Sequence, residues 1–465
     1  MQNDMFMKNR GKNFSVWLAA VFTMACFIIS CDETATKKEG VTHDPSKPVI
    51  VTSFFPDSGR YRHKVILDGE NFGSDPSKVR VYFNKKKAVV IGSTGSRMYV
   101  IVPRIAEDIA CEVTVAVGDN PVAGKDSITY VEKFRYSKVV MVTTLCGNGT
   151  QTNTPGNLAQ ATIVPTSLDV DNNGNVFVSV EYGFPGSGSG DVGLVRINEE
   201  EDLMEIVINL GSLSSDANGN RYQGINCDRK TNIMYTMHRR NVNSYVVLDP
   251  AENWLPRVKL INWDNANPEY GRPQNLNQYA GFNQNDGCIY VRYIEGHIAR
   301  IDPRTSRGTI IYKTTQPASG VSSIGLDFDP NNPDWCYVTG NTTHGLYRFN
   351  VKNPAGTWQR LNTPTAAGHR DGPIEQAQFN TLYGCRFDSK GNLYICDYTN
   401  RCIRKYNPES GQVTTFTGIP GKQGNKDGGP DEAEFNTPFA IGIDLEDNLY
   451  IADRTNNRVR KISIE

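Results

Sequence analysis

Leu382-Tyr383-Gly384-Cys385-Arg386-Phe387-Asp388-Ser389-Lys390-Gly391-Asn392-Leu393-Tyr394-Ile395-Cys396-Asp397-Tyr398-Thr399-Asn400-Arg401 aligns without a gap on Pro438-Phe439-Ala440-Ile441-Gly442-Ile443-Asp444-Leu445-Glu446-Asp447-Asn448-Leu449-Tyr450-Ile451-Ala452-Asp453-Arg454-Thr455-Asn456-Asn457. Each copy reads as an apolar strand, a turn carrying Asp, Gly and Asn, and a second apolar strand ending in Asp. The same grammar recurs upstream. Leu168-Asp169-Val170 precedes a turn at 171–175 and the strand Val176-Phe177-Val178. Further copies start near Gln223, Ala280 and Ser323, with second strands at 232–235, 288–291 and 335–338. Third strands follow at 194–197, 245–248, 298–301, 346–349, 403–406 and 459–462. Six copies, roughly 45 to 60 residues apart, have the spacing of propeller blades.

The two C-terminal copies resemble NHL repeats, as do the linkers Asp371-Gly372-Pro373…Ala377-Gln378-Phe379-Asn380 and Asp427-Gly428-Gly429-Pro430…Ala433-Glu434-Phe435-Asn436. That resemblance implies a propeller of four-stranded blades. The last copy stops after its third strand, which would leave an unpaired outer edge. Val139-Val140-Met141-Val142-Thr143-Thr144-Leu145 is similar to Gln412-Val413-Thr414-Thr415-Phe416, the fourth strand of the preceding copy. Residues 139–145 are therefore expected to supply the missing strand and close a six-bladed ring spanning 137–465.

Ahead of the repeats, 48–136 shows short alternating strands separated by turn residues, as a β-sandwich does. Phe55-Pro56-Asp57-Ser58-Gly59, then Val65-Ile66-Leu67-Asp68-Gly69-Glu70-Asn71-Phe72-Gly73, then Val81-Tyr82-Phe83-Asn84, then Val102-Pro103 resemble the immunoglobulin-like IPT/TIG domain. The resemblance implies a spacer or partner-contacting module. The fold class expected for the chain is all-β: an immunoglobulin-like (IPT/TIG) β-sandwich followed by a six-bladed NHL-type β-propeller.

The N-terminus reads as an address. Lys8, Arg10 and Lys12 flank an apolar run from Phe14 to Ile29, which at roughly fifteen residues suits a signal-peptide core better than a membrane span. Ile28-Ile29-Ser30-Cys31 resembles a bacterial lipobox, making 1–30 a signal peptide and Cys31 the lipidated residue. Residues 31–47 are polar and read as a flexible tether. Asp32-Glu33 resembles the export signal of Bacteroidetes surface lipoproteins, so an outer-membrane, cell-surface location is expected, with a periplasm-facing anchor as the alternative. The other cysteines are dispersed without CxxC pairs, which predicts buried free thiols.

Composition narrows the function. The chain has 465 residues, with 49 Lys+Arg against 50 Asp+Glu, for a formal charge of −1. Nucleic acid is thereby excluded as the main partner, since it needs a basic footprint. Asp169, Asp171, Asn173 and Gly174 start like a calcium loop, but Val180 stands where the bidentate Glu belongs. Other copies keep Asp and Asn in the same slot, which is hairpin chemistry. His238, His297, His344 and His369 lie near loops at one end of the ring; the first three are the candidate metal ligands if the propeller resembles the zinc lyases, and no further residue pattern supports that. Pro185-Gly186-Ser187-Gly188-Ser189-Gly190 lacks the strand-then-helix setting of a phosphate loop. No catalytic set and no cofactor motif is found.

Tyr182, Phe184, Arg239, Arg240, Trp263, Tyr270, Tyr293 and Tyr398 fall in loops that a propeller gathers at one face. Flat rings stack on sugars, and Arg, Asn and Asp bond their hydroxyls. The expectation is a non-enzymatic surface lipoprotein recognising a polysaccharide for an outer-membrane glycan-uptake system, with a glycan or a surface protein as partner. The alternatives are a protein-interaction or adhesion module, and a propeller lyase or hydrolase with a metal in its funnel.

Overall fold

The computed structural model describes residues 40–105, 109–181, 193–209, 222–238, 241–264, 267–274, 277–314 and 325–464. The N-terminal part is a sandwich. One sheet orders Ile50–Phe55, Lys64–Glu70, Arg97–Ile101 and Val89–Ser93 side by side. The facing sheet orders Ser127–Thr129, Val113–Val117, Val79–Phe83 and Lys86–Lys87. A smaller three-stranded sheet holds Ser58–Gly59, Phe134–Tyr136 and Ile109–Cys111. Period-two alternation builds the core: Val79, Val81 and Phe83 are buried, whereas Arg80 and Tyr82 between them are half-exposed. At the Asn71-Phe72-Gly73 step, Phe72 is fully buried and Asn71 turns the chain at φ 63°. Residues 41–47, expected as part of a flexible tether, are instead held on the sandwich. Asn71 Nδ2 donates to the carbonyls of Asp44 (2.9 Å) and Lys47 (2.8 Å), and Ser74 N donates to Val41 O (2.7 Å). The side-chain amide satisfies carbonyls that no strand partner reaches.

The described residues from Val140 onward form six sheets arranged as blades around a central channel, antiparallel except where the edge strand Asn262–Trp263 runs parallel to Arg307–Lys313. Their innermost strands are Pro165–Val170, Tyr222–Asp228, Asn277–Asn283, Leu326–Phe328, Leu382–Phe387 and Pro438–Ile443. Each sheet then steps outward through its second, third and fourth strands. In the sixth sheet the outermost place is taken by Val140–Cys146, antiparallel to Arg458–Ile464, with Val140 opposite Ile464 and Val142 opposite Ile462. Inner strands approach so closely that side chains are excluded at the contact. A Cβ on Gly384 would lie 2.8 Å from Ala440 Cα, and one on Gly442 would lie 2.8 Å from Leu168 Cδ1 and 2.9 Å from Asp169 Cα. The second of these contacts joins the last blade to the first, so the ring is closed.

Two side-chain devices repeat. In the hairpins after the inner strands, Asp171 Oδ1 accepts from Asn173 N (2.9 Å) and Asn175 N (2.7 Å), and Asp388 and Asp444 do the same in their blades. Of the two carboxylates that start like a calcium loop, Asp171 is thus committed to the turn, whereas Asp169 accepts from Cys227 N of the next blade (3.0 Å). In blades five and six a fully buried arginine ties the linker to the sheet. Arg404 pairs with Asp397 (2.8 Å) and Asp371 (2.6 Å), and lies over the Phe379 ring. Arg460 pairs with Asp453 (3.3 Å) and Asp427 (2.6 Å), over Phe435. The eight cysteines from Cys111 to Cys402 are buried and free, and burial raises their thiols; Cys227 is pushed up to about 12.

Candidate ligand-binding site

Strand direction sorts the loops. First-to-second and third-to-fourth hairpins emerge at one face of the ring, whereas second-to-third loops and the linkers between blades emerge at the other. Four of the sequence-picked residues, Tyr182, Phe184, Arg239 and Arg240, lie outside the described residues, as do Cys31 and the run 185–190.

The remaining four are not brought together. Trp263 sits on the short strand Asn262–Trp263, which pairs with the outermost strand of blade three, and its indole N–H donates to Asn243 Oδ1 (2.9 Å). Tyr270 packs edge-on against Tyr312 at the same outer rim, with ring centroids 6.3 Å apart. Tyr293 is fully buried. These three brace blade three, because aromatic rings at strand ends gain more from covering neighbouring apolar surface than from facing water.

Tyr398 is different. It is half-buried and stacks at 4.5 Å on Tyr383, whose ring also meets Phe439 at 4.5 Å. Arg454 lies over the Phe439 ring, 5.0 Å from its centroid, and its Nε donates to Glu181 (2.8 Å). Burial alone would lower the Arg454 guanidinium, but the Glu181 pairing outweighs it and holds it above its ordinary value. Tyr383 and Phe439 come from the starts of inner strands, and Glu181, Tyr398 and Arg454 follow second strands. They converge at the channel mouth. Tyr279, from blade three, reaches across to donate to the Thr166 carbonyl of blade one (3.1 Å) and floors that mouth.

Sequence reasoning missed Glu181, Tyr279, Tyr383, Phe439 and Arg454. The signal was present in the aligned copies: Tyr383 and Phe439 share one slot, and Tyr398 and Arg454 share the slot after the strand-ending Asp. The cluster offers two partly accessible tyrosine rings beside a paired guanidinium and carboxylate. That arrangement can stack on a sugar ring and exchange several hydrogen bonds with its hydroxyls.

The histidines do not converge. His238 Nδ1 bonds Ser244 Oγ (2.6 Å), His297 Nε2 bonds Tyr270 O (2.8 Å), His344 Nδ1 accepts from Thr381 N (2.9 Å) and His369 Nε2 bonds Thr415 Oγ1 (2.9 Å). Each braces a loop of its own blade or linker. Burial lowers the pKa of His297, His344 and His369. Among the described residues no group of three or more His, Cys, Asp or Glu is placed to hold a metal ion.

Residues 48–136 match the IPT/TIG domain family. A stretch of 97 residues is 30% identical to Protein SUPPRESSOR OF QUENCHING 1, chloroplastic, of Arabidopsis thaliana; it covers 21% of this chain and 9% of that protein's length. Solved structures resemble most of the chain. A structural genomics protein of unknown function from Bacteroides thetaiotaomicron superposes with a TM-score of 0.65 at 24% identity, covering 91% of this chain and 100% of that one. A protein from Bacteroides ovatus described as an auxiliary nutrient binding protein gives 0.60 at 22% identity, over 91% and 100% of the two chains. One of the same description from B. thetaiotaomicron gives 0.55 at 24%, over 91% and 99%.

Proposed function

We propose that this chain is a non-enzymatic, cell-surface binding lipoprotein of an outer-membrane nutrient-uptake system, and that its ligand is a polysaccharide. The NHL-type propeller presents the recognition face and the IPT/TIG sandwich serves as a stalk. The observation that carries the reading is the convergence of Tyr383, Tyr398 and Phe439 with the Arg454–Glu181 pair at one channel mouth. The likeness to Bacteroides proteins described as auxiliary nutrient binding proteins supports it. So does the sequence of the leader, in which Cys31 is the acylated residue and Asp32-Glu33 the export signal.

The test is affinity electrophoresis of the mature chain through gels holding individual plant, fungal and host polysaccharides. At least one should retard the protein, and Tyr398→Ala combined with Tyr383→Ala should weaken that retardation about tenfold or more, the loss of two stacking contacts. No retardation by any polysaccharide, or retardation unchanged in the double variant, sinks the reading. For the anchor, Cys31→Ser should abolish acylation seen by intact-protein mass spectrometry, and added protease should remove the wild-type protein from whole cells.

A further inference from the structure

The channel has a second mouth, at the hairpin face, separated from the first by Tyr279. Two positions before each hairpin Asp or Asn, the inner strands place Asp169, Asn226, Gly281, Asp327, Arg386 and Gly442 at equivalent points around the axis. Asp169, Asn226, Asp327 and Arg386 line a cavity of about 490 Å³ there, with Phe328 and Arg229 among its other walls. That volume suits a small ligand.

The donors and acceptors are unequally committed. Arg386 Nη2 donates to Ile225 O (3.0 Å) and Asn226 Oδ1 (3.0 Å), and Arg229 donates to the carbonyls of Val170 (2.7 Å) and Ile443. Asp169 Oδ2 accepts from Cys227 N (3.0 Å), and Asp327 Oδ2 accepts from Phe387 N (2.7 Å). Asp169 Oδ1 has no hydrogen-bond donor among the described residues, although Asp169 is only 4% exposed. The guanidiniums of Arg229 and Arg386 stand 3.7 and 3.8 Å from the Asp169 carboxylate, too far for a hydrogen bond but near enough to balance charge. Arg229 and Arg386 thus balance Asp169 and Asp327 at the inner end. Asp329, Asp388, Asp444 and Asp447 outnumber Lys230 over the rest of the lining, and Asp169 Oδ1 is left without a hydrogen-bond donor among the described residues.

We propose that this cavity binds a neutral polyhydroxylated molecule of monosaccharide size, one hydroxyl donating to Asp169 Oδ1 while a carbon face rests on Phe328. Asp329, Asp388, Asp444 and Asp447 of the same lining each accept from hairpin amides, which leaves Asp169 Oδ1 as the acceptor without a donor among the described residues. An anion would meet six aspartates against Arg229, Lys230 and Arg386. This site lies at the opposite end of the channel from the tyrosine cluster and does not depend on it.

The test uses the mature chain with D-glucose, D-galactose, D-mannose and D-xylose, read by saturation-transfer NMR and by thermal shift. At least one sugar should give saturation transfer and raise Tm. Asp169→Asn keeps an acceptor for Cys227 N but turns the free oxygen into a donor, so affinity should fall about tenfold, the loss of one charge-assisted hydrogen bond. Leu445 lines the rim and is exposed, so Leu445→Trp should leave the unliganded Tm unchanged and block binding even if Asp169→Asn fails to fold. The Tyr383→Ala, Tyr398→Ala double variant should keep the response. Silence from all four sugars, a response undiminished in the Asn and Trp variants, or binding of glucosamine alone would overturn the proposal. Loss only in the double variant would place the sugar at the other mouth and overturn it as well.

Discussion

Arg404 and Arg460 are fully buried cations, each held between a buried strand-ending Asp and an Asp of the inter-blade linker. Removing one partner strands the other's charge in the interior. Arg404→Ala and Arg460→Ala should each cost about 3–5 kcal/mol in urea unfolding. The acids carry a pH signature. Burial pushes Asp397 up to about 6 against the pull of Arg404, and raises Asp453 likewise. A carboxyl whose folded pKa exceeds its unfolded value near 4 binds protons more tightly when folded. Its stabilising contribution is full below about pH 4 and is lost as pH rises through about 6. Asp397→Asn should therefore flatten the fall in Tm across that interval; an unchanged slope would show that Asp397 does not titrate there. At Gly384 the nearest atoms to an added Cβ are backbone of the next blade, which cannot rotate away. Gly384→Ala should cost about 1–3 kcal/mol by overpacking, again read in urea.

Among the elements, the strand Val140–Cys146 has most at stake, since it joins the start of the propeller to its end. Val142 N donates outward to Gly428 O (2.9 Å) and Thr144 N to Asp427 (3.0 Å). The alternation of an extended strand then turns Met141 and Thr143 towards Arg458–Ile464. Thr143→Pro removes a ladder donor at the seam and leaves a carbonyl of the last strand unpaired, at about 1–3 kcal/mol. The same change at Thr144 breaks only the linker contact and should cost less. Hydrogen exchange should show fraying confined to 458–464 in the Thr143 variant; equal protection in both would mean that the seam contributes little. The sequence similarity between 139–145 and 412–416 marked this element because both strands meet one need, covering the outer edge of a blade.

At the scale of the whole molecule, Arg104 links the sandwich to the propeller. It bonds Glu446, Asn448 Oδ1 (2.9 Å) and the Ile464 carbonyl (2.8 Å), all in the sixth blade. Arg104→Ala should broaden the interdomain distance distribution in small-angle scattering without shifting the Tm of either part. An unchanged distribution would assign the orientation to the chain connection at 137–139 instead. The same contact sets the sandwich beside the hairpin face and leaves the tyrosine mouth on the side away from it.

What the sequence determined by itself is what period and repetition encode. Strand alternation, the shared Asp-turn slot and the count of six copies follow from local chemistry repeated along the chain, and they suffice for an all-β sandwich and a six-bladed ring. What only the tertiary structure decided is which side chains share a mouth. Trp263, Tyr270 and Tyr293 look like Tyr398 in sequence, but the first two are held at the outer rim of blade three and the third is fully buried, whereas Tyr398 lies half-buried beside Tyr383 at the channel mouth. Likewise Asp169 and Asp327 lie more than a hundred residues apart and face one cavity only because the ring closes. Local pattern fixes which face of its own strand a residue occupies; convergence depends on the packing of separate blades, and that information is spread over the whole chain.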